Sequence, residues 1–291
     1  MNPKPEAGET RPPKQRQQPP FPEPAPELKW YERLNALNIT MILFLLATVI
    51  STPVLQGSGR NLQYFENFAR FLSAFFPPDF SVLPEAIRAL RESIQIAVMA
   101  TFFSIIISFP LAAASSQNIA PRWLVLCARM VMNFIRTIPS LIWALIAVVV
   151  VGANPLAGVV ALTIYSIGYL GKFFSDAFES LDTDIAKGLR AIGADPVQAF
   201  QHGMWPHAKP LVCSYALWML EYNIRAASII GYVGAGGVGL LLHSYQEFRM
   251  YDKFATVLLL ILVVVTTLDF AGEWVRRQVT KRINNKALAS R

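Results

Sequence analysis

Residues 93–114 run for about six helical turns without a single charged side chain. Other largely apolar stretches fall at 36–55, 156–174, 211–231 and 254–274. A helix needs about 20 such residues to cross the hydrocarbon of a bilayer. With every span helical, each backbone hydrogen bond closes inside its own segment. The expected fold is therefore all-α, a polytopic membrane protein of about six transmembrane helices. Composition agrees, with 54% hydrophobic and only 15% charged residues. The formal charge of +7 would elsewhere suggest nucleic acid. Here Lys and Arg gather in the tails and at span ends, where anionic lipid and the positive-inside bias explain them. No nucleic-acid partner is expected.

Along the chain, residues 1–30 are rich in Pro, Glu, Lys and Gln and predict a disordered tail. They are not a signal peptide, because the first apolar run comes late and lacks a small-residue cleavage site. Trp30 and Tyr31 mark an interface ahead of the first span. Residues 31–92 then comprise that span, 36–55, and an interfacial segment. In it Phe65, Phe68, Phe71, Leu72 and Phe75 recur at helical spacing, ended by Pro77 and Pro78. This predicts an amphipathic helix lying on the membrane; the alternative is a small loop whose aromatics pack on themselves. The transmembrane body runs over 93–276. Its third span is irregular: 123–151 contains Arg129 and Arg136, and only 137–151 is continuously uncharged, so a break is expected near Pro139. Gly152 to Pro155 predicts a tight turn. Gly158, Gly168 and Gly171 predict close helix contacts in the fourth span. Residues 277–291 form a basic tail.

Six crossings place both termini and the polar segment 178–210 on one side. Arg122, Arg129 and Arg136, with the basic tail, mark that side as cytoplasmic, although Arg88, Arg91 and Arg249 blur the bias. Within 178–210, Asp182 or Thr183 can cap a helix that starts near Asp184. Ile185, Leu189 and Ile192 share a face that is expected to turn toward the membrane body. Gly193 suits its end. Asp195 and Pro196 can open a second short helix, and Pro206 and Pro210 are expected to interrupt the chain before the fifth span. Either this is a docking element for a cytosolic partner or it is a solvated linker.

Glu221 and Arg225 stand four apart and can pair within the fifth span. As charges in hydrocarbon they should face the bundle interior or a cavity. Arg225 then lends potential to an anion path, or the two are a structural pair. Asp269 lies near the end of the last span and can reach water or an Arg. Gly234, Gly236 and Gly239 satisfy G-x-G-x-x-G but follow a membrane span, not a strand, so nucleotide binding is rejected. A plain tight turn, or one that moves with a gate, explains them, and a polar stretch is expected from there to Lys253. Cys127 and Cys213 read as free thiols. His202 and His207 read as surface residues. No metal spacing and no catalytic triad are evident, and an enzyme is not expected.

The segment 178–210 resembles the coupling element of importer-type ABC transporter permeases, written E-A-A, three residues, G, nine residues, I, one residue, L-P. Gly193 and Pro206 keep the Gly, the Pro and their spacing. Lys187, Gly188 and Leu189 then stand at the E-A-A positions, so the acidic residue is replaced, while Gly203 and Trp205 stand at the I and L positions. The segments 75–97, 134–146 and 221–239, with Asp269 and Arg276–Arg277 downstream, narrow the resemblance to PhnE-like phosphonate permeases over about residues 62–282. The resemblance implies the ABC importer permease (MetI-like) fold with cytoplasmic coupling helices. It also implies a bacterial inner-membrane homodimer, two cytosolic ATPase subunits that use ATP and Mg, a periplasmic binding protein, and no cofactor on this chain. It implies ATPase coupling through Asp184, Lys187, Gly188, Leu189, Gly193, Ala194, Phe200, Trp205 and Pro206. Candidates for the translocation path or gate are Arg136, Pro139, Glu221, Asn223, Arg225, Gly234, Gly236 and Gly237. Phosphonate, phosphite or another small oxyanion would be the cargo. The competing classes are a secondary transporter or channel that needs no ATPase, and a membrane scaffold that transports nothing.

Overall fold

The computed structural model describes residues 36–56 and 63–289, with side chains at 37–55 and 63–278. The expected N-terminal tail, Trp30 and Tyr31 lie outside the described residues. The chain divides into two units, at Gln63. The first holds α1 (Ala36–Ile50) and a 3-10 turn, Thr52–Gln56. At 15 residues α1 spans about 22 Å, and it ends ahead of Pro53 where the expected span ran to 55.

The second unit is built around two long helices, α3 (Leu83–Ser115) and α6 (Pro155–Glu179), which make its most extensive pairing. Ahead of α3 comes α2 (Tyr64–Ser73), the expected amphipathic helix. Phe71 in its last turn and Phe75 just beyond pack edge-on or stacked against Tyr251 and Phe254, with centroids 5.0–6.0 Å apart. Aromatic packing and an exposed amphipathic helix thus coexist in one segment.

α3 starts ten residues before the expected 93. Pro84 sits in its first turn, where a missing N–H costs nothing. Ala86 and Leu90 are buried while Ile87, Arg88 and Arg91 are not, so the opening turns are amphipathic and continue directly into the apolar run. Small buried residues bring α3 and α6 together: Ala100 of α3 shares one core cluster with Ala157 and Ala161 of α6, and the Ser108 hydroxyl donates to the Ile167 carbonyl at 3.4 Å. Small side chains let two backbones approach where lipid offers no hydrophobic drive between helices. Thr101 and Ser104 donate to carbonyls of their own helix, at 2.7 and 2.8 Å, so burial leaves neither hydroxyl stranded.

The third span is broken as expected. α4 (Arg122–Thr137) and α5 (Ser140–Val151) meet at 89° across Ile138 and Pro139. Ile138, preceding a proline, is extended (ψ 120°). At 12 residues α5 covers about 18 Å and cannot cross alone. The turn at Gly152 (φ +86°) leads into α6, capped by Asn154 and opened by Pro155.

The three glycines of α6 are contact points. A Cβ on Gly158 would lie 2.8 Å from the Ala235 carbonyl, and one on Gly171 would lie 2.6 Å from the Met132 sulfur. On Gly168 it would meet Arg136 and Ile135 at 2.9 Å.

Past α6 come α7 (Asp184–Ala191), α8 (Pro196–Ala199), a π-helical turn (Phe200–Met204) and α9 (Trp205–Ile230). Two expectations are corrected here. Pro206 does not interrupt the chain but opens α9, and Pro210 lies inside it. The fifth span therefore starts at 205, because a proline in a first turn gives up an N–H that has no helical partner anyway. From 238 onward a second correction applies, for the expected polar stretch is a helix, α10 (Val238–Glu247), bent 44° from α9. α11 (Tyr251–Ala289) closes the chain.

Three helices of the described residues are long and apolar enough to cross a membrane, two bent pairs add to them, and α1 is a shorter apolar helix. The architecture is an all-α polytopic membrane fold.

The glycine-rich turn joins the bundle through donors, not phosphate. Gly234, Gly236 and Gly237 all take positive φ (+90°, +79°, +72°). The Gly237 N–H donates to Glu92 Oε1 and the Val238 N–H to Ser93 Oγ, both at 2.9 Å. Glu92 and Ser93 of α3 thereby cap the N-terminus of α10 from outside, where a carboxylate also suits the helix dipole. Glu92→Ala is expected to cost about 1–3 kcal/mol and lower the unfolding temperature of the purified chain in detergent. Glu92→Gln, which keeps an acceptor, should recover part of that loss.

Candidate functional site

Two regions hold the residues singled out by sequence. The first is the polar segment between α6 and α9. Thr183 stands at the N-cap of α7 but makes no side-chain cap bond; Asp182 instead accepts from the Asp184 N–H at 2.9 Å. α7 ends at a chain reversal in which Gly193 takes φ +101° and the Ala194 N–H returns to the Leu189 carbonyl. Asp195 and Gln198 form a reciprocal capping box over α8, with Pro196 in its first turn.

No residue of α7 is buried. It rests on Gly203, where a Cβ would lie 3.2 Å from Ala186 Cα and 3.3 Å from Leu189 Cδ1. The seated side is therefore Ala186 and Leu189. Ile192 is 82% exposed and Ile185 48%, so the expectation that both face the membrane body is corrected. A face needs only enough contact to fix its angle, and Gly203 supplies it by letting backbone meet backbone.

A methyl group added at Gly188 would find nothing within 4 Å, and Gly188 and Lys187 are both exposed. The Lys187 ammonium lies 2.9 Å from Asp184, whose hydrogen bond and charge hold its pKa above the ordinary lysine value. Phe200 and Trp205 point inward. With Phe109 of α3 and Phe178 of α6 they form an edge-to-face cluster with centroids 5.3–6.3 Å apart. The segment thus has an outer side of Ile185, Lys187, Gly188 and Ile192, and an aromatic root set in the helix core.

A polar network that sequence patterns do not assemble surrounds this root. Arg129 of α4 bridges to Glu179 at 2.6 Å and donates to the Ser115 carbonyl. Glu179 also accepts from the Gln117 N–H, and Asn118 donates to the Phe178 carbonyl at 2.8 Å. The ends of α3 and α6 and the middle of α4 are bound together beside α7. Its only sequence signal is an Arg and a Glu with no local partner at the ends of two spans.

The second region lies along α9 and the helices packed against it. Glu221 and Arg225 do not pair with each other, correcting the i,i+4 expectation. Both reach across to α11: Arg225 to Asp269 at 2.7 Å, and Glu221 to Arg276 at 2.8 and 2.9 Å. Asp269 does meet an Arg, as expected. Gly272 makes the second pair possible, since a Cβ there would strike the Glu221 carboxylate. The four charges and Trp218 line a cavity of about 450 Å³.

Asn223 is fully buried, not set in that cavity. Its Nδ2 donates to Thr101 Oγ1 and Ser166 Oγ at 2.9 and 3.0 Å, tying α3, α6 and α9. Pro139 sets the elbow between α4 and α5, and Trp143 donates back across it to the Ile135 carbonyl. Arg136, at the elbow, is half-buried. Its guanidinium stands 4.8 Å from the centre of the Tyr169 ring, and its Nε is buried with no hydrogen-bond partner.

Long apolar helices interrupted by an elbow, a glycine-rich turn, and a short helix pair set on an aromatic base make up the membrane body. Residues 104–282 match the family of binding-protein-dependent transport system inner membrane components, and the chain belongs to that family. It is a permease component of an ABC importer and a multi-pass inner-membrane protein. It is 34% identical over 252 residues to the phosphite transport system permease protein PtxC of Stutzerimonas stutzeri, covering 84% of this chain and 89% of that one. It is also 31% identical over 205 residues to the phosphate-import permease protein PhnE of Mycolicibacterium smegmatis, covering 70% of this chain and 38% of that one. Among solved structures, the MetNI methionine ABC transporter in an inward-facing conformation matches with a TM-score of 0.62 at 25% identity, over 69% of this chain and 99% of that chain. The fold is the MetI-like importer permease fold.

Proposed function

We propose that this chain carries a small phosphorus oxyanion, phosphite or a phosphonate, across the inner membrane as half of a homodimeric pathway. The observation that carries the reading is the likeness to a phosphite permease along most of the length of both chains. Two cytosolic ATPase subunits would grip α7 through its exposed side, at Asp184, Lys187 and Gly188, and would bind and hydrolyse ATP with Mg in their own sites. A periplasmic binding protein would deliver the cargo at the opposite end. Both termini and residues 178–210 are then cytoplasmic. In this arrangement α7 meets the ATPase while Phe200, Trp205 and Pro206 pass its displacement to α9. Coupling means that the state of the ATPase and the exposure of the path share a free energy.

Vesicles containing this chain, its ATPase and its binding protein, offered phosphite, methylphosphonate, phosphate and methionine, test the reading. Saturable, ATP-dependent uptake of a phosphorus oxyanion, with methionine left outside, is the expected result. Uptake that persists without the ATPase would make it a secondary transporter. Labelling of Lys187 only from the periplasmic side would reverse the topology and remove the coupling role.

A further inference from the structure

We infer that Arg136, with the hydroxyls of Tyr165, Tyr169 and Tyr222, forms a contact site for the travelling oxyanion midway through the bundle. This deepens the oxyanion-import reading and rests on it. Charge sets Arg136 apart. Arg129, Arg225 and Arg276 each meet a carboxylate at 2.6–2.8 Å. Arg225, the sequence candidate for lending potential to an anion path, is thereby neutralised by Asp269. Arg136 differs: no ion pair or hydrogen bond involves it among the described residues, and its Nε is shut away from solvent without a partner. A half-buried guanidinium is costly in a low-dielectric setting unless something compensates it. The Tyr169 face compensates only in part, as a cation–π contact does.

The wall beside it is suited to an oxyanion. Tyr165 stacks on Tyr222 with centroids 5.3 Å apart, and the Tyr222 hydroxyl donates to the Tyr165 oxygen at 2.9 Å. Tyr165 also lies against Tyr169, at 4.8 Å between centroids. These tyrosines occupy the middle of α6 and the second half of α9. Phenolic hydroxyls rotate and can donate to a passing oxygen. Gly168 is what brings the Arg136 stem onto α6, since a Cβ there would lie 2.9 Å from its Cγ. The position is fixed, and the missing counter-charge is one that the cargo itself carries. A site that binds weakly and in transit is what a pathway requires.

The test has two arms on the full-length chain. First, the chain in nanodiscs of neutral lipid is treated with an arginine-directed dicarbonyl, with phosphite or with chloride at equal ionic strength, and modification is read residue by residue. Phosphite is expected to slow modification of Arg136 several-fold and leave exposed Arg122 unchanged. An Arg136 rate indifferent to phosphite, or an Arg136 that the reagent never reaches, overturns the proposal. Second, in vesicles with the ATPase and binding protein, Arg136→Gln is expected to lower phosphite uptake about ten-fold at equal protein level, and Arg136→Lys, which keeps the charge but not the planar fork, to restore only part of it. Unchanged uptake in Arg136→Gln also overturns it. Protection of Arg136 by phosphite in a chain whose vesicles import no phosphorus oxyanion would uphold the site and sink the importer reading, so the two failures are separable.

Discussion

Gly239→Val should leave almost no folded protein in the membrane. A Cβ at Gly239 would run into the Ser228 carbonyl and would lie 2.8 Å from Gly231 Cα and 3.0 Å from Gly231 C. Every one of these is a backbone atom. The contact is reciprocal, since a Cβ at Gly231 would lie 2.8 Å from Gly239 Cα and would strike the Gly236 carbonyl. The end of α9 and the first turn of α10 therefore touch main chain to main chain, and no side chain can rotate aside to make room. Beside this contact sit buried Ile230 and Ala235, which share one core cluster, and Val238 and Leu242, which share another with Val82 and Leu90 of the α3 start. Forcing the two turns apart would open both. A loss above about 4 kcal/mol is the range reserved for such core disruptions, and whole domains are stable by only about 5–15 kcal/mol. The measurement is the yield of monodisperse chain after membrane extraction. Gly188→Ala is the matched control, since that position is exposed with no neighbour within 4 Å, and alanine there should be neutral or slightly stabilising. A Gly239→Val chain recovered at the yield of the parent would refute the backbone contact.

The contrast between those two glycines shows what sequence patterns can and cannot reveal. The break at Pro139 was legible because proline acts locally: it removes one donor and forces the preceding residue to be extended. The helix starts at Asp184 and Pro196 and the reversal at Gly193 were legible for the same reason. Apolar runs as long as a bilayer is thick determined the fold class. What escaped depends on partners distant in sequence. Glu221 and Arg225 satisfy the i,i+4 spacing, yet each finds a better partner on α11, because Gly272 opens a path that no local rule records. Pro206 and Pro210 read as interruptions, yet a first-turn proline is compatible with a helix, and the π turn ahead of it shifts the register so that the Trp205 N–H meets the Phe200 carbonyl. Asn223 looks like a path residue because it is polar in an apolar span, yet it is spent on Thr101 and Ser166. In the polar segment, helical periodicity located the α7 helix but reversed the orientation of Ile192. A single half-turn of helical phase separates a seated residue from an exposed one, and the deciding contact is a glycine on another element.

Gly193→Pro should abolish uptake while leaving the chain inserted in the membrane. Gly193 holds φ at +101°, and proline is confined near −65°. The substitution also removes the N–H that donates to the Arg190 carbonyl at 3.1 Å. The turn between α7 and α8 must then take another course, which swings α7 away from Gly203. Little else would change: α7 buries no residue, and the space around Gly193 is open, with no neighbour within 4 Å of an added methyl. The aromatic root of Phe109, Phe178, Phe200 and Trp205 and the helices above it do not depend on that turn. Insertion and protein level should therefore stay close to those of the parent, whereas a relay from an ATPase through α7 to α9 would lose its register and uptake should fall to background. Gly193→Ala separates strain from rerouting, because a non-glycine residue at positive φ costs only about 1–3 kcal/mol and can keep the N–H bond; it should retain partial uptake. Gly203→Leu attacks the same seat from the other side by pushing on Ala186 Cα, and should reproduce the proline phenotype without touching the turn. Basal ATP hydrolysis should survive in both severe variants, no longer linked to transport. Parent-like uptake by Gly193→Pro would show that α7 is a bystander, and α9 would then have to be driven through the network that joins Arg129 of α4 to Glu179 at the end of α6 instead.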